Sequence, residues 1–356
     1  MENLYAVVLA GGRGERFWPK SRSNMPKQLL TLTGQSSMLA ETLNRVGSLA
    51  PVERQWVVTG EDLVKSIEKI GIVGPRLIGE PAGKNTAPAI AVAAAEIARE
   101  DPEAVMMVLP SDHFINDVPR FRQTLEQGAV LARRGYLATI GIAPDRPETG
   151  YGYIERGEML PNCEIPCFAV KSFREKPNQI TAAKFVKSGY FYWNGGIYVW
   201  KTKTILEQIK KHLPQLHRKL EVWQKAGGLS AGPEKFAKFY REVEKISIDY
   251  GVMEKAEKVA VIKGDFGWDD LGSWEAVERF YPRDRRQNVL VGNCLAIESQ
   301  NNLVYSDDGM VAALGLKDII IVQSQGAVLV CHRSKVQEVR KVIEELSKQA
   351  NGKKFI

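Results

Sequence analysis

Apolar runs alternate with helix-like segments along the first part of the chain, and this alternation predicts a layered α/β domain. Each apolar run has the unbroken hydrophobicity of a strand that is buried on both faces of a sheet. These predicted strands cover residues 4–10, 55–59, 76–79, 104–109 and 136–142. Helices are predicted between them at residues 38–46, 61–70, 87–99 and 120–134. Short connections favour right-handed βαβ units in a mostly parallel sheet, which binds ligands at the carboxyl ends of its strands.

The middle of the chain has a different pattern, with shorter β segments and long charged helices. Short β segments are predicted over residues 149–176, a helix over 178–188 and an aromatic strand over 189–200. Residues 202–245 are predicted to be helical, with breaks at Pro214 and at Gly227-Gly228. Residues 247–257 and 259–263 are then predicted to return to the sheet.

A second change of pattern comes near residue 285. Short β runs separated by Gly, Asn and Asp follow, and they predict a small all-β unit. The last apolar residues recur at the spacing of an amphipathic helix, at Val336, Val339, Ile343 and Leu346. We therefore expect a Rossmann-like α/β domain with a mixed, mostly parallel sheet over residues 1–284. A small β-rich C-terminal domain that ends in a helix is expected over residues 285–356.

Composition narrows the class of protein. The 356 residues are enough for one large domain and one small one. The formal net charge of +7 favours anionic ligands, but basic and acidic residues are interleaved, so no nucleic-acid partner is expected. No apolar run approaches the roughly 20 residues of a membrane span, and no signal peptide is visible. The four cysteines lack the spacing of a disulfide framework, so we expect reduced thiols in a cytoplasmic protein.

The first strand runs directly into a glycine-rich, basic loop, L-A-G-G-R-G-E-R-F-W-P, at residues 9–19. Without a Cβ, backbone N–H groups can approach an anion closely, and this applies at Gly11, Gly12 and Gly14. Arg16 and Lys27 supply positive charge nearby. A P-loop would need Gly-Lys-Ser/Thr, and a dinucleotide fingerprint would need glycine where Phe17 stands. The loop therefore predicts a phosphate site of another type.

This loop resembles the signature of the sugar-nucleotide pyrophosphorylases, nucleotidyltransferases that act on sugar 1-phosphates. The signature is L-A-G-G-x-G-x-R-[LF]-x-P followed by P-K, and the matching residues are Leu9, Ala10, Gly11, Gly12, Gly14, Arg16, Phe17, Pro19, Pro26 and Lys27. Glu15 departs from it, because many members carry Thr there. The resemblance implies that Leu9, Ala10 and the three glycines bind the nucleotide. It also implies that Arg16 and Lys27 hold the β- and γ-phosphates.

Carboxylates follow two other apolar runs, and they predict a magnesium site. Asp112 lies in L-P-S-D-H-F and Asp265 in K-G-D-F-G-W-D-D. Mg²⁺ on a nucleoside triphosphate needs few protein carboxylates, because phosphate and water oxygens complete its octahedron. By the resemblance, Asp112 and Asp265 hold this metal. Asp269 and Asp270 follow closely and stay open as alternatives, with a turn or a helix cap as their other interpretation.

Residues 173–177, F-R-E-K-P, resemble the F-x-E-K-P motif of the same family. There the lysine grips the phosphate of the sugar 1-phosphate and the glutamate bonds sugar hydroxyls, which assigns Lys176 and Glu175. Tyr151-Gly152-Tyr153 and the W-N-G-G-I-Y segment that contains Asn194 also resemble sugar-site segments. By the same resemblance Asp249 lies near the sugar.

The segment G-E-P-A-G-K-N-T-A-P, residues 79–88, is predicted to bind the base. Guanine presents adjacent N1–H and N2–H donors, and one carboxylate can accept both, whereas uracil and thymine would be repelled. Glu80 therefore favours guanine, with Pro81 and Asn85 beside it; a surface acid next to a helix is the alternative for Glu80. Asn85 is also a predicted helix cap. The segment resembles the mannose-1-phosphate guanylyltransferase branch of the family.

Together these resemblances imply GTP and mannose 1-phosphate as substrates, Mg²⁺ as cofactor, and GDP-mannose and pyrophosphate as products. A uridylyl- or thymidylyltransferase on another sugar 1-phosphate is an alternative. A non-catalytic regulatory homologue that binds sugar nucleotides is another. A fused phosphomannose isomerase is not expected, because residues 285–356 lack a His/Glu metal cluster. By resemblance the C-terminal domain is a short left-handed β-helix, through which a homodimer could form.

Overall fold

The computed structural model describes residues 3–356, which divide into two compact units. Unit 1 contains the described residues up to Gly11, together with Thr42–Ser111 and Ile115–Trp268. Unit 2 contains Gly12–Glu41, Asp112–Phe114 and Asp269–Ile356. The segment after the glycine loop thus clusters with the C-terminal residues rather than with the large sheet. The predicted domain boundary after residue 284 stays a prediction.

Except at residues 247–257, the secondary structure of residues 3–356 follows the predicted order of elements. The strands are β1 (Leu4–Ala10), β2 (Gln55–Gly60), β3 (Arg76–Glu80), β4 (Val105–Pro110), β5 (Phe114–Ile115), β6 (Leu137–Ile142), β7 (Tyr153–Met159), β8 (Cys167–Arg174), β9 (Phe191–Lys201), β10 (Val259–Gly264), β11 (Trp268–Asp269), β12 (Val289–Val291), β13 (Cys294–Ile297), β14 (Leu303–Ser306), β15 (Val311–Leu314), β16 (Ile319–Ser324) and β17 (Ala327–His332). The α-helices are α1 (Met38–Val46), α2 (Val64–Lys69), α3 (Thr86–Glu100), α4 (Val118–Arg133), α5 (Gln179–Ser188), α6 (Thr202–His212), α7 (Pro214–Lys225), α8 (Pro233–Glu242), α9 (Trp274–Val277) and α10 (Arg340–Lys348).

Unit 1 is built on a nine-stranded sheet in the order β3-β2-β1-β4-β9-β6-β10-β8-β7. β1 lies parallel to β2 and β4, β2 is parallel to β3, and β6 is parallel to β10. β9 is antiparallel to β4, β6 and β7, and β8 is antiparallel to β7 and β10. Seven strands therefore share one direction, and β8 and β9 run against them. The prediction of a mixed, mostly parallel sheet is confirmed.

Helix α3 is buried along most of its length, because its alanine side chains are small enough for close packing. Its residues from Ala87 to Ile97 are buried, and several belong to the main hydrophobic core of unit 1. Asn85 caps this helix, since its side chain accepts a hydrogen bond of 2.9 Å from the Thr86 N–H. The cap predicted from the sequence is therefore present.

One predicted strand is wrong. Residues 247–257 were expected in the sheet, but Asp249–Met253 form a π-helical turn. Ile248 and Val252 are fully buried, whereas Tyr250 between them is 50% exposed. Because buried residues four apart lie on one face of a helical turn, the burial pattern here has helical rather than alternating periodicity. The short apolar residues of this segment could not distinguish the two from sequence.

Unit 2 contains stacked parallel β coils. Val289 of β12 pairs with Leu303 of β14, which pairs with Ile320 of β16, while β13 and β15 form a second parallel pair. β17 closes the larger sheet by antiparallel pairing with β16. The β-rich C-terminal domain is therefore confirmed, and the left hand of its coil stays a prediction.

Two buried asparagines hold successive coils in register. Asn288 Oδ1 accepts hydrogen bonds from the backbone N–H and Nδ2 of Asn302, at 3.0 and 3.1 Å. Asn302 Oδ1 in turn accepts from the Ile319 N–H at 2.8 Å. Each amide thus replaces a backbone partner at a corner where the strand ladder is interrupted, which satisfies polar groups that burial would otherwise leave unpaired.

The closing helix packs on the residues that follow the glycine loop. Val336 and Val339 belong to the same buried cluster as Phe17 and Trp18, and Ile343 packs against it. All four apolar residues predicted for the closing helix therefore contribute to this cluster, although Val336 lies in a 3₁₀ turn that precedes α10. Within unit 2, the C-terminal helix therefore supports the turn that carries the predicted phosphate-binding residues.

No helix within residues 3–356 is long and apolar enough to cross a membrane. All four cysteines, Cys163, Cys167, Cys294 and Cys331, are unpaired thiols.

Candidate active site

The glycine loop has the backbone geometry that an anion site requires. Gly12 and Gly14 adopt positive φ angles of 99° and 61°. A Cβ added to Gly11 or Gly12 would meet no atom within 4 Å, so the backbone there is open to a ligand. At Gly14 an added Cβ would lie 2.3 Å from the Cβ of Lys27. Gly14 therefore allows two backbone segments to approach, and this approach positions Lys27.

Lys27 is a buried cation with two anchored hydrogen bonds. Its side chain is 9% exposed, and its Nζ donates to Asp112 Oδ2 at 2.7 Å and to the backbone oxygen of Asp270 at 2.6 Å. Arg16 lies nearby and donates from Nη1 to the backbone oxygen of Gly272 at 3.4 Å. The two cations predicted to hold phosphates thus lie together in unit 2, and a carboxylate is already paired with one of them.

Asp112 is charged at neutral pH. Burial opposes its ionisation, but the positive charge of Lys27, with His113 and the hydrogen bond from Lys27, outweighs burial and lowers the pKa of the Asp112 carboxyl below its usual value. The Asp112 side chain is 36% exposed, so solvent and ligands can reach it. A charged, accessible carboxylate is the hard oxygen ligand that Mg²⁺ prefers.

A cleft of about 220 Å³ brings these groups together, and all the residues that line it belong to unit 2. The lining residues are Gly14, Glu15, Arg16, Phe17, Lys27, Asp112, His113, Asp270, Gly272 and Arg340. Four of them are cationic or can become so, and three are acidic, so the cleft suits an anion together with a metal cation.

The three aspartates left open by the sequence have different positions. Asp265 is an exposed residue directly after β10, in unit 1. Asp269 is the last residue of β11; its Oδ1 accepts from the Leu271 N–H at 2.9 Å, and its carboxylate also pairs with Arg279. Asp270 lines the same cleft as Asp112. The cleft therefore favours Asp270 as the partner of Asp112, and the assignment of Asp265 stays a prediction.

The predicted nucleotide-binding residues of unit 1 lie at one edge of its sheet. Ala10 pairs with Thr59, and Gly60 pairs with Glu80, at the carboxyl ends of β1, β2 and β3. Leu9 pairs with Pro110 at the end of β4. Parallel sheets bind ligands at this edge, and the role of these residues in binding a nucleotide stays a prediction.

Glu80 is a half-buried residue with one buried, unsatisfied carboxyl oxygen. Desolvation by burial raises the pKa of Glu80 to about 7, although the hydroxyl of Tyr240 acts in the opposite direction. Glu80 Oε1 and the Tyr240 hydroxyl are both buried, and neither makes a hydrogen bond of good geometry with another described residue, although the hydroxyl is close enough to lower the pKa of Glu80. An isolated buried acceptor is costly, so a ligand that donates N–H groups would be favoured at this position. Pro81 and Asn85 follow Glu80 in the loop that leads to α3.

Three of the predicted sugar-site residues meet in unit 1. A Cβ added to Gly152 would lie 2.6 Å from Glu175 Oε2 and 3.5 Å from the Cβ of Asn194. The Asn194 N–H also donates to the Gly152 oxygen at 2.8 Å. Gly152 therefore makes room for Glu175, and any larger residue would displace the carboxylate. Lys176 adopts a positive φ of 41°, and its Nζ lies 3.1 Å from Glu175 Oε1.

Asp249, the remaining predicted sugar residue, is bound to Asn194 and Tyr198. Asn194 Nδ2 donates to Asp249 Oδ1 at 2.8 Å, and the Tyr198 hydroxyl donates to the same oxygen at 2.5 Å. Burial and the negative charge of Asp249 raise the pKa of Tyr198 well above its usual value, so Tyr198 remains a donor. Burial, with the charges of Asp249 and Glu175, also raises the pKa of Glu254. The side chains around Asp249 therefore form a network of hydrogen-bonding groups, which is suited to a polyhydroxy ligand.

Sequence reasoning did not assign roles to Tyr198 and Arg340. Tyr198 lies in the predicted aromatic strand and is 4% exposed, but its hydroxyl also donates a hydrogen bond to Asp249. Arg340 had no recognisable signal, because a basic residue on an amphipathic helix normally faces solvent. Only the packing of α10 reveals that it lines the cleft.

Comparison with known proteins agrees with this geometry. The profile of the nucleotidyl transferase family matches residues 5–286, and that of the MannoseP isomerase/GMP-like beta-helix domain matches residues 292–346. The chain therefore belongs to the nucleotidyl transferase family. Several relatives that the chain matches are named mannose-1-phosphate guanylyltransferases.

Two such relatives are mannose-1-phosphate guanylyltransferases from Escherichia coli K12 and Klebsiella pneumoniae. The first is 38% identical over 98% of this chain and 74% of its own length, and the second is 37% identical over 96% and 74%. A crystal structure from Thermus thermophilus, of a protein called mannose-1-phosphate geranyltransferase, has a TM-score of 0.88 and 36% identity. It covers 97% of this chain and 99% of its own.

Proposed function

We propose that this protein transfers GMP from GTP to mannose 1-phosphate and releases pyrophosphate, with GDP-mannose as the product. The observation that carries the proposal is the similarity, over nearly the whole chain, to relatives named mannose-1-phosphate guanylyltransferase. The anion cleft of unit 2 and the polar network of unit 1 are consistent with the two substrates.

The reaction needs positioning rather than a general base. An oxygen of the sugar phosphate attacks the α-phosphorus of GTP in line, the bond to the bridging oxygen breaks, and pyrophosphate leaves. The attacking monoester is already largely dianionic near neutral pH, since its second pKa is about 6. Most of the barrier therefore comes from bringing two polyanions together and from stabilising the charge that develops on the leaving group.

Each substrate has its own set of candidate ligands. The amides of the glycine loop, with Arg16 and Lys27, hold the β- and γ-phosphates, and Lys27 must then share its ammonium with Asp112. Lys176 binds the phosphate of the sugar in this proposal. Its side chain is 64% exposed, so a ligand can reach its ammonium group. Glu175 accepts hydrogen bonds from sugar hydroxyls, and Asn194 can both donate to them and accept from them.

Glu80 selects the base in this proposal. Its buried, unpaired Oε1 fits a ligand that donates N–H groups, and guanine offers two such donors side by side. A carboxylate would face the carbonyl acceptors of uracil or thymine instead, at an electrostatic cost.

Magnesium is the proposed cofactor. No group of three or more His, Cys, Asp or Glu that could hold a metal occurs within residues 3–356, but Mg²⁺ on a triphosphate needs only one or two protein carboxylates. Asp112 fits this role, because it is charged and accessible. When bound, Mg²⁺ would neutralise phosphate charge. Asp270 is the second ligand that the cleft favours, and Asp265 is the one that sequence resemblance favours.

Single variants separate the two candidates for the second ligand. Asp112→Asn and Asp270→Asn should each weaken the binding of Mn²⁺ in the presence of GTP, measured by electron paramagnetic resonance. If Asp270 is the second ligand, Asp265→Asn, which removes the same charge from a residue of unit 1, should leave it within about twofold of wild type. A loss confined to Asp265→Asn would instead restore the sequence-based assignment.

The decisive experiment for the function is pyrophosphate release with Mg²⁺, in which GTP, UTP, dTTP and ATP are each combined with mannose 1-phosphate and glucose 1-phosphate. Turnover restricted to GTP with mannose 1-phosphate would support the proposal. Turnover with another pair would retain the phosphate site but overturn the roles of Glu80 and of the sugar. Turnover with none, while sugar nucleotides still bind, would favour a regulatory homologue.

A homodimer through the C-terminal unit is also proposed. Ile297 of β13 and Leu314 of β15 are register neighbours that are 47% and 66% exposed, with Leu295 on the same face. A continuous apolar face of this kind is typical of a subunit interface. Light scattering should give a dimer for wild type and a monomer for Leu314→Lys, with Val222→Lys on α7 as the matched control for an exposed apolar residue. A monomeric wild type would contradict the proposal.

We also propose that the protein is located in the cytoplasm, because its four cysteines do not have the spacing of a disulfide framework.

A further inference from the structure

The C-terminal helix places a cation in the phosphate cleft of its own chain. Arg340, the first residue of α10, lines the cleft together with Arg16 and Lys27. Its Nε lies 3.3 Å from Glu15 Oε2, within the glycine-loop turn. Neither residue belongs to the sets predicted for the nucleotide, the sugar or the metal.

Packing fixes the position of Arg340. The preceding residue, Val339, is 2% exposed in the cluster that also contains Phe17, and Ile343 packs against this cluster. Trp18 Nε1 donates to the Phe355 oxygen at 2.7 Å, which ties the end of the chain to the same turn. Arg340 is therefore anchored by buried neighbours at its base while its guanidinium extends into the cleft.

The pair between Arg340 and Glu15 is suited to exchange. The side chain of Arg340 is 57% exposed and that of Glu15 is 34% exposed, and ion pairs with this much access to solvent contribute little stability. A phosphate oxygen competes well for the same guanidinium, because charge-assisted bonds from the planar fork to phosphate are among the strong hydrogen bonds of proteins. Releasing Glu15 therefore costs little, and the guanidinium is available to a polyphosphate.

We propose that Arg340 binds the terminal phosphates of the nucleoside triphosphate, and the pyrophosphate that leaves, and that Glu15 holds its guanidinium in the empty site. Arg340 then contacts substrate directly, and the C-terminal helix is part of the binding site. The identification of the ligand as a triphosphate rests on the proposed function, whereas binding of inorganic pyrophosphate does not.

The competing explanation is that Arg340 only neutralises Glu15, whose negative charge would otherwise repel the phosphates. The two explanations differ when Glu15 is absent. If Arg340 binds phosphate, its removal should weaken binding in a Glu15→Thr background as well. If it only neutralises Glu15, its removal should then have no effect.

The test is calorimetric titration of the full chain with inorganic pyrophosphate and Mg²⁺, for wild type, Arg340→Gln, Glu15→Thr and the double variant. We expect Arg340→Gln to weaken pyrophosphate binding about tenfold in both backgrounds, as expected for the loss of one charge-assisted hydrogen-bonding group. Lys341→Gln is the matched control, because Lys341 is the adjacent cation, pairs with Glu338 at 2.6 Å and does not line the cleft. That variant should bind as wild type does.

Several outcomes would overturn the proposal. Wild-type affinity in Arg340→Gln would do so, as would an effect that disappears in the Glu15→Thr background or one that Lys341→Gln reproduces. Thermal unfolding of each variant identifies a general loss of folding, and in that case Arg340→Lys, which keeps the charge and loses the fork, replaces Arg340→Gln. Failure of the proposed function would be seen separately, as normal pyrophosphate binding without turnover of GTP and mannose 1-phosphate.

Discussion

The half-buried carboxyl of Glu80 gives the sharpest prediction, because guanine recognition should require its ionised form. Its pKa is raised from 4.5 to about 7, mainly by desolvation. With that value, about a tenth of the protein carries the carboxylate at pH 6 and about nine tenths at pH 8. The fraction of protein that can accept both guanine donors therefore rises about tenfold over this range.

We expect the Kd for GTP to fall about tenfold between pH 6 and pH 8 through Glu80 alone. The phosphates of GTP titrate in the same range, so the variant Glu80→Gln is the necessary control. It keeps the size of the side chain and one acceptor, but it cannot ionise, and its residual pH dependence reports the phosphates only. Fluorescence or calorimetric titration with GTP at each pH gives the ratio of the two affinities.

The ionisation of Glu80 should lower the stability of the fold as pH rises, whereas it should raise the affinity for GTP. A carboxyl whose pKa is higher in the folded than in the unfolded state stabilises the fold below pH 4.5, and this contribution is lost as pH rises through about 7. A shift of this size corresponds to about 3 kcal/mol at most. Glu80→Gln should therefore be more stable than wild type at pH 8, relative to their difference at pH 5, in urea unfolding. Equal pH profiles of the two proteins, in binding and in unfolding, would refute the reasoning.

Three further predictions concern the phosphate and sugar sites. Lys176→Ala should raise KM for mannose 1-phosphate about tenfold or more and change KM for GTP by less than about twofold, in steady-state assays; the reverse order would exclude its role. Gly14→Ala should destabilise the fold by about 1–3 kcal/mol, because the position has a positive φ and the added Cβ would lie 2.3 Å from the Cβ of Lys27. It should lower the melting temperature more than Gly12→Ala, where the positive φ is the only source of strain. Tyr198→Phe removes the hydroxyl that orients Asp249, and we expect KM for mannose 1-phosphate to rise about fivefold while KM for GTP is unchanged; equal effects on both substrates would indicate a purely structural role.

The glycine loop illustrates how much a local signal can determine. Gly12 and Gly14 adopt the positive φ angles that their residue type allows, and the Asn85 cap forms through a bond between adjacent residues. Such features depend on a few neighbouring residues, and a single sequence is sufficient for them. The π-helical turn at Asp249–Met253 was mispredicted because the burial of Ile248 and Val252 depends on partners far away in the chain.

The aspartates show where local reasoning ends. Asp265, Asp269 and Asp270 lie within six residues and have the same chemistry, so that their spacing could not rank them. Folding separates them, because Asp269 accepts a hydrogen bond from the Leu271 N–H and Asp270 lines the cleft of Asp112. Which residue lines a cleft depends on the direction of the chain after a strand, and this direction is set by packing rather than by composition.

The sequence by itself determined the α/β class, the order of strands and helices, the glycine loop and the family resemblance, because periodicity and short motifs express local preferences of the chain. Only the tertiary structure decided that residues 12–41 share a hydrophobic core with the C-terminal unit, and that Arg340 lies beside Glu15, 325 positions earlier in the chain. It also decided which hydroxyl bonds Asp249 and which carboxyl oxygen is left unpaired at Glu80. The physical reason is that burial and pairing depend on contacts between distant segments, and no local pattern in the sequence encodes which segments will meet.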